Sequence, residues 1–138
     1  MEAYSKAYLD EIIENQGKLF DYVAITYPDM DTEDFIYSYM KSNTRKYIDE
    51  AQAFICTMDV QALWKYFLHT DRYELKKGSA LSGFLPDWIG EFYAYYQWQY
   101  NIPSCAVIEK VPLVYLKRAY AGLHDLELEL AVKKVGIV

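Results

Sequence analysis

Two histidines and two cysteines are the strongest ligands and nucleophile partners in this chain of 138 residues. Each histidine stands near an acid, His69 two residues before Asp71 and His124 beside Asp125. Such pairs could serve as base and orienting acid, but both fall at helix junctions, where capping is the simpler use. A serine nucleophile would need one of these histidines, an acid and oxyanion donors gathered in space. Ser79, Ser82 and Ser104 are available, and none sits in a Gly-x-Ser-x-Gly elbow. A metal centre needs three or four matched ligands. The chain has no His-Glu-x-x-His pattern, and Cys56 and Cys105 show neither metal nor redox spacing. No metal and no cofactor is expected, and both cysteines read as free thiols among apolar neighbours. Lys76, Lys77, Gly78 and Ser79 lack the glycine-then-lysine order of a nucleotide loop.

Carboxylates are more plentiful. Glu11 with Glu14, Asp31 with Asp34, and Glu127 with Glu129 lie in charged stretches, which points to solvated surface. Glu91 differs because it lies inside the aromatic run 85–100. Its expected role is a partly buried ion pair with Arg118 or Lys117 that fixes packing. An enzyme built from the same residues would have a pocket beside this run. Glu91 would then be acid or base, His124 a base, and Arg118 the holder of an anion.

The net charge of −6 is uneven: residues 1–50 hold 11 acids and 5 bases, and residues 51–138 hold 9 of each. An acidic half repels a phosphate backbone and attracts a basic protein. The leading reading is a cytoplasmic interaction module that covers a basic partner sterically. Asp29, Asp31, Glu33 and Asp34 would supply charge, and Tyr37 and Tyr39 aromatic anchors. A nucleic-acid alternative would set Lys110, Lys117, Arg118, Lys133 and Lys134 on a helix-turn-helix-like group of short helices. Glu109, Asp125, Glu127 and Glu129 interleave these bases, which leaves a thin phosphate footprint. Fifteen tyrosines also allow a homo-oligomer, since each ring favours burial and each hydroxyl a partner. No membrane partner is expected: no apolar run approaches spanning length, and residues 1–13 lack a leader pattern. Without a leader or a disulfide spacing, a reducing compartment fits best.

Helices must position all of these groups, because no two-residue alternation is sustained. The spacing predicts a first helix over 2–26, with Leu9, Ile12, Ile13, Leu19, Phe20 and Val23 inward and Gly17 at its middle. Tyr27–Pro28 ends it, and Asp29 or Asp31 caps a short helix carrying Phe35, Ile36, Tyr39 and Met40. After a polar break at 41–44, a helix is expected to run to Met58 with Tyr47, Ile48, Ala51, Phe54 and Ile55 inward. Asp59 caps the next, with Leu63, Trp64 and Phe67, and 70–83 reads as a loop. The run 85–100 carries Trp88, Phe92, Tyr93, Tyr95, Tyr96, Trp98 and Tyr100, so large rings wrap nearly every side of it. Such a helix is normally central to its domain. Beyond it, Ser104, Pro112 and Asp125 are expected to start three shorter helices, the last closed by Gly136. The expected fold is all-α, a single domain of about seven helices over 1–138, with 84–138 as a C-terminal subregion.

The C-terminal part resembles a group of small uncharacterised helical proteins of Gram-positive gut bacteria, some encoded near toxin–antitoxin or mobile-element genes. Trp88–Ile89, the tyrosine-rich run, Asn101–Pro103 and Leu123–Ala131 carry the likeness. It covers residues 84–138, and before that only 42–44 matches. The resemblance implies an accessory, antitoxin- or immunity-like role through protein contacts, and it carries no catalytic residue.

Overall fold

Apolar side chains recur at three- and four-residue spacing along most of the chain, and helices form where they do. The computed structural model describes residues 6–136, so residues 2–5 of the first expected helix lie outside the described residues. Nine helices occur among the described residues: α1 (Lys6–Thr26), α2 (Thr32–Met40), α3 (Asn43–Asp49), α4 (Ala53–Cys56), α5 (Val60–Thr70), α6 (Leu85–Tyr100), α7 (Ser104–Lys110), α8 (Leu113–Leu123) and α9 (Leu128–Val135). The fold is all-α, with one isolated antiparallel bridge, Met30 to Lys77, and no strand among the described residues. No described helix is long and apolar enough to cross a membrane.

α6 occupies the centre, and none of its residues is exposed. Trp88, Phe92, Tyr96 and Tyr100 form a row of rings at four-residue spacing, with successive centroids 5.2, 6.0 and 4.7 Å apart. Asn101 ends the helix in the left-handed region, and the Ile102 N–H reaches back to the Gln97 carbonyl at 3.3 Å. α1 makes the most extensive contact with α6, so residues 84–138 share one core with the first half of the chain. The two helices meet at glycines. A Cβ on Gly90 would stand 2.6 Å from the Gln16 carbonyl oxygen and 2.8 Å from the Gly17 Cα. Backbone atoms cannot yield there, so a side chain at 90 would force the helices apart.

α5 and α2 pack on α1, α9 packs on α6, and α7 sits against α6, α2 and α3. Phe35 is the hub of the first half, within 5.2–5.7 Å of the rings of Phe20, Tyr39, Trp64 and Phe67. Arg45 is buried in the same region, which requires a paired partner. It donates to Asp49 Oδ1 at 3.0 Å, and Ser104 adds its N–H to Oδ2 at 2.8 Å and its hydroxyl to Oδ1 at 2.7 Å. Asp49 thereby locks α3 to α7.

Several local expectations need correction. The helix expected to reach Met58 breaks into α3 and α4, because Ala51 adopts φ 56° and turns the chain. The Gln52 N–H then bonds the Tyr47 carbonyl at 3.0 Å, closing α3, while Ala51 and Phe54 are exposed rather than inward. Ser104 does not cap α7; its hydroxyl belongs to Asp49, and Pro103 holds the cap position. Asp125 does not cap the last helix either. The Leu126 N–H bonds the Leu123 carbonyl at 3.0 Å, which prolongs the turn, and α9 starts after Glu127. Asp31 and Asp59 do cap α2 and α5, accepting the N–H groups of Asp34 and Ala62 at 3.0 and 2.8 Å.

Gly90→Ala should lower the unfolding free energy by about 1–3 kcal/mol through overpacking. Gly122→Ala, at a helical position with nothing within 4 Å, should be neutral or stabilising. Chemical denaturation of both variants checks this, and equal stability of the two would contradict a tight α1–α6 crossing.

Candidate functional site

Residues four apart on a helix share a face, so like charges at that spacing repel. α1 carries Asp10 and Glu14 at this spacing, and α6 carries Asp87 and Glu91. The two pairs line one open cleft of about 530 Å³ beside the α1–α6 contact. Ile13, Tyr95 and Leu128 complete its walls, and Lys18 is the only base among its described lining residues. Lys18 forms an ion pair with Glu14 at 2.7 Å. Asp87 and Glu91 are half-buried. Burial, then Asp21 and Glu14, hold the Asp87 carboxyl above its ordinary range, with Lys18 offsetting part of the effect. Burial, Asp87 and Glu14 do the same to Glu91. The cleft can therefore hold cationic groups, and the Asp87 and Glu91 carboxyls give up protons less readily than free ones, whereas Lys18 holds the Glu14 carboxyl below its ordinary range.

The acids expected to meet a partner are largely engaged within the chain. Asp31 caps α2, and Glu33 pairs with Lys117 at 3.0 Å. Asp34 accepts the Tyr73 hydroxyl at 2.7 Å and lies 3.4 Å from Lys76. Asp29 has an exposed side chain, while its carbonyl accepts the Gly78 N–H at 3.1 Å. Tyr37 is exposed, donates to Glu109 at 3.2 Å and lies beneath Lys41. Tyr39 is fully buried and donates to Gln16 at 2.7 Å, so it belongs to the core rather than to a contact surface.

The enzyme triad does not converge. Glu91 faces the α1 cleft, whose walls include neither Arg118 nor His124, and it pairs with neither Arg118 nor Lys117. The His124 ring stacks on Tyr120 with centroids 4.5 Å apart, its Nδ1 lies 2.7 Å from the Tyr120 carbonyl, and Asp125 flanks its Nε2 at 3.3 Å. Among the nucleic-acid candidates, Lys117 is paired with Glu33 and Lys133 with Glu129, while Lys110, Arg118 and Lys134 are exposed. A smaller cavity of about 190 Å³ touches Cys56, Tyr8, Ile12 and Ala53. Burial pushes the Cys56 thiol up, which disfavours a thiolate, although Arg45 acts the other way.

Sequence reasoning singled out Glu91 but missed Asp10, Glu14, Lys18 and Asp87 as its company. The available signal was the repeated four-residue spacing of like charges on two helices that each carry a glycine nearby. No family model, no curated protein and no solved structure matches this chain.

Because the folded Glu91 carboxyl holds its proton more tightly than the unfolded one, ionisation at neutral pH opposes folding. Its contribution improves as pH falls through the raised folded value and is complete below the unfolded value. Glu91→Gln should therefore raise stability at neutral pH, with the gain shrinking toward about pH 4. Urea denaturation across that range checks it; a gain that grows on acidification would contradict the assignment.

Proposed function

We propose that this chain is a protein-interaction module, antitoxin- or immunity-like, that binds a basic partner in the cytoplasm and blocks it sterically. The observation carrying this reading is the α1–α6 cleft, where four carboxylates at paired helical spacing surround one lysine. Charges fixed on helices, four acids against one lysine that is itself paired with Glu14, steer and orient an oppositely charged surface. The contact surface thus centres on Asp10, Glu14, Asp87 and Glu91, with Asp29 and Tyr37 on a separate exposed stretch. The enzyme and nucleic-acid alternatives have no comparable gathering of side chains in their favour.

Affinity capture from cells that make the protein, followed by mass spectrometry, should return a basic protein in one-to-one ratio. Asp10→Asn combined with Glu14→Gln should weaken that complex and flatten its dependence on salt. A complex indifferent to both substitutions, or the recovery of no stoichiometric basic protein, would contradict the proposal.

A further inference from the structure

The residue before the first turn of a helix usually offers an oxygen to the free N–H groups of that turn. At the start of α6 this position is Phe84, which makes no side-chain cap bond. Phe84 does not pack either: at 82% exposed it stands furthest into solvent of the large hydrophobic residues described. Ile25, in the last turn of α1, follows at 71%. Single exposed apolar residues need no explanation, but Ile25 lines a groove that Gly83 and Pro86, on either side of Phe84 in the chain, also line. The groove has a volume of about 310 Å³, with Ile25 and Pro28 on one wall and Leu81, Gly83 and Pro86 on the other. Gly83 holds φ 65°, and no atom lies within 4 Å of the place a Cβ would take. Glycine is there for the backbone turn that presents Phe84.

Asp21 is the one charged residue among the groove's described lining residues. It lines the groove one turn after Lys18 on α1, and Pro86 lines it beside Asp87 on α6, while Lys18 and Asp87 line the acidic cleft. The groove and the acidic cleft therefore adjoin, apolar at one end and carrying four carboxylates and Lys18 at the other. A position that breaks the capping rule without any packing gain in the fold is the kind of exception that function produces.

We propose that this groove receives the apolar anchor of a basic amphipathic segment of a partner protein, whose lysines or arginines lie along Asp21, Asp87 and Glu91. The proposal rests on the acidic-cleft reading and adds a second chemical requirement to the partner. Phe84 and Ile25 grip the anchor, and the carboxylates set the direction of the segment.

Two synthetic peptides of equal positive charge test this against the whole isotopically labelled protein. One has lysine and leucine at amphipathic helical spacing; in the other, serine replaces each leucine. The leucine peptide should shift the amides of 21–28 and 81–87 together with those of the cleft. Phe84→Ser and Ile25→Ser should each weaken it by about tenfold. The serine peptide should shift the cleft amides alone and ignore both substitutions. Equal binding of the two peptides, untouched by Phe84→Ser, overturns the anchor groove and leaves the acidic cleft standing. Failure of both peptides to bind overturns both. A dimer seen in sedimentation of the protein alone and lost in Phe84→Ser gives the groove to a second copy, which also overturns the proposal.

Discussion

The backbones of α1 and α6 touch at Gly17 and Gly90, and most of the molecule depends on that approach. With a Cβ at either position the helices would separate, and the residues that α1 sends inward would lose their contact with the central helix. Leu9, Ile12, Leu19, Phe20 and Val23 on α1, and Ile89, Phe92, Tyr93 and Tyr96 on α6, are all at most 3% exposed. Burial on that scale is the main favourable contribution to folding, and it scales with the area removed from water. The same approach produces the acidic cleft. A Cβ on Gly17 would stand 2.8 Å from Glu91 Cγ and 2.9 Å from the Asp87 carbonyl oxygen, so both acids are pressed against α1. Core packing and the placement of charge are thus consequences of one helix crossing.

Several polar groups in the core tie elements together. Tyr93 donates to the Val111 carbonyl and Tyr96 to the Gly136 carbonyl, each at 2.7 Å, which fastens α6 to the ends of α7 and α9. Tyr39 joins α2 to Gln16 on α1, and Asp49 joins α3 to Ser104. Part of the unusual tyrosine content is therefore accounted for inside the fold, since a buried ring brings a hydroxyl that must find an acceptor. The loop 71–83 is held in the same manner: Asp71 accepts the Asn43 N–H at 2.9 Å, and the Leu81 N–H reaches the Thr32 hydroxyl at 3.2 Å.

Helix existence and the central place of α6 were legible in the sequence because ring spacing and Pro86 mark them directly. The break between α3 and α4 was not, because alanine in a left-handed conformation leaves no mark that a glycine or asparagine would have left. Ser104 and Asp125 misled for a related reason. A side chain that suits a cap is equally suited to a long-range partner, and Ser104 has one in Asp49, which is 55 residues away in sequence. The candidate site was half legible. Glu91 stood out by its aromatic surroundings, but its neighbours come from α1, and nothing local in the sequence tells which helix faces it. The acidic stretch 29–34 looked available because its partners Tyr73, Lys76 and Lys117 are distant in the chain.

The most direct test of the account is the proximity of the two glycines in solution. A nuclear Overhauser spectrum of the labelled protein should show a strong cross-peak between the Hα protons of Gly17 and Gly90. Its absence, with Gly17 and Gly90 each showing contacts only within its own helix, would contradict the crossing on which both the core and the acidic cleft depend.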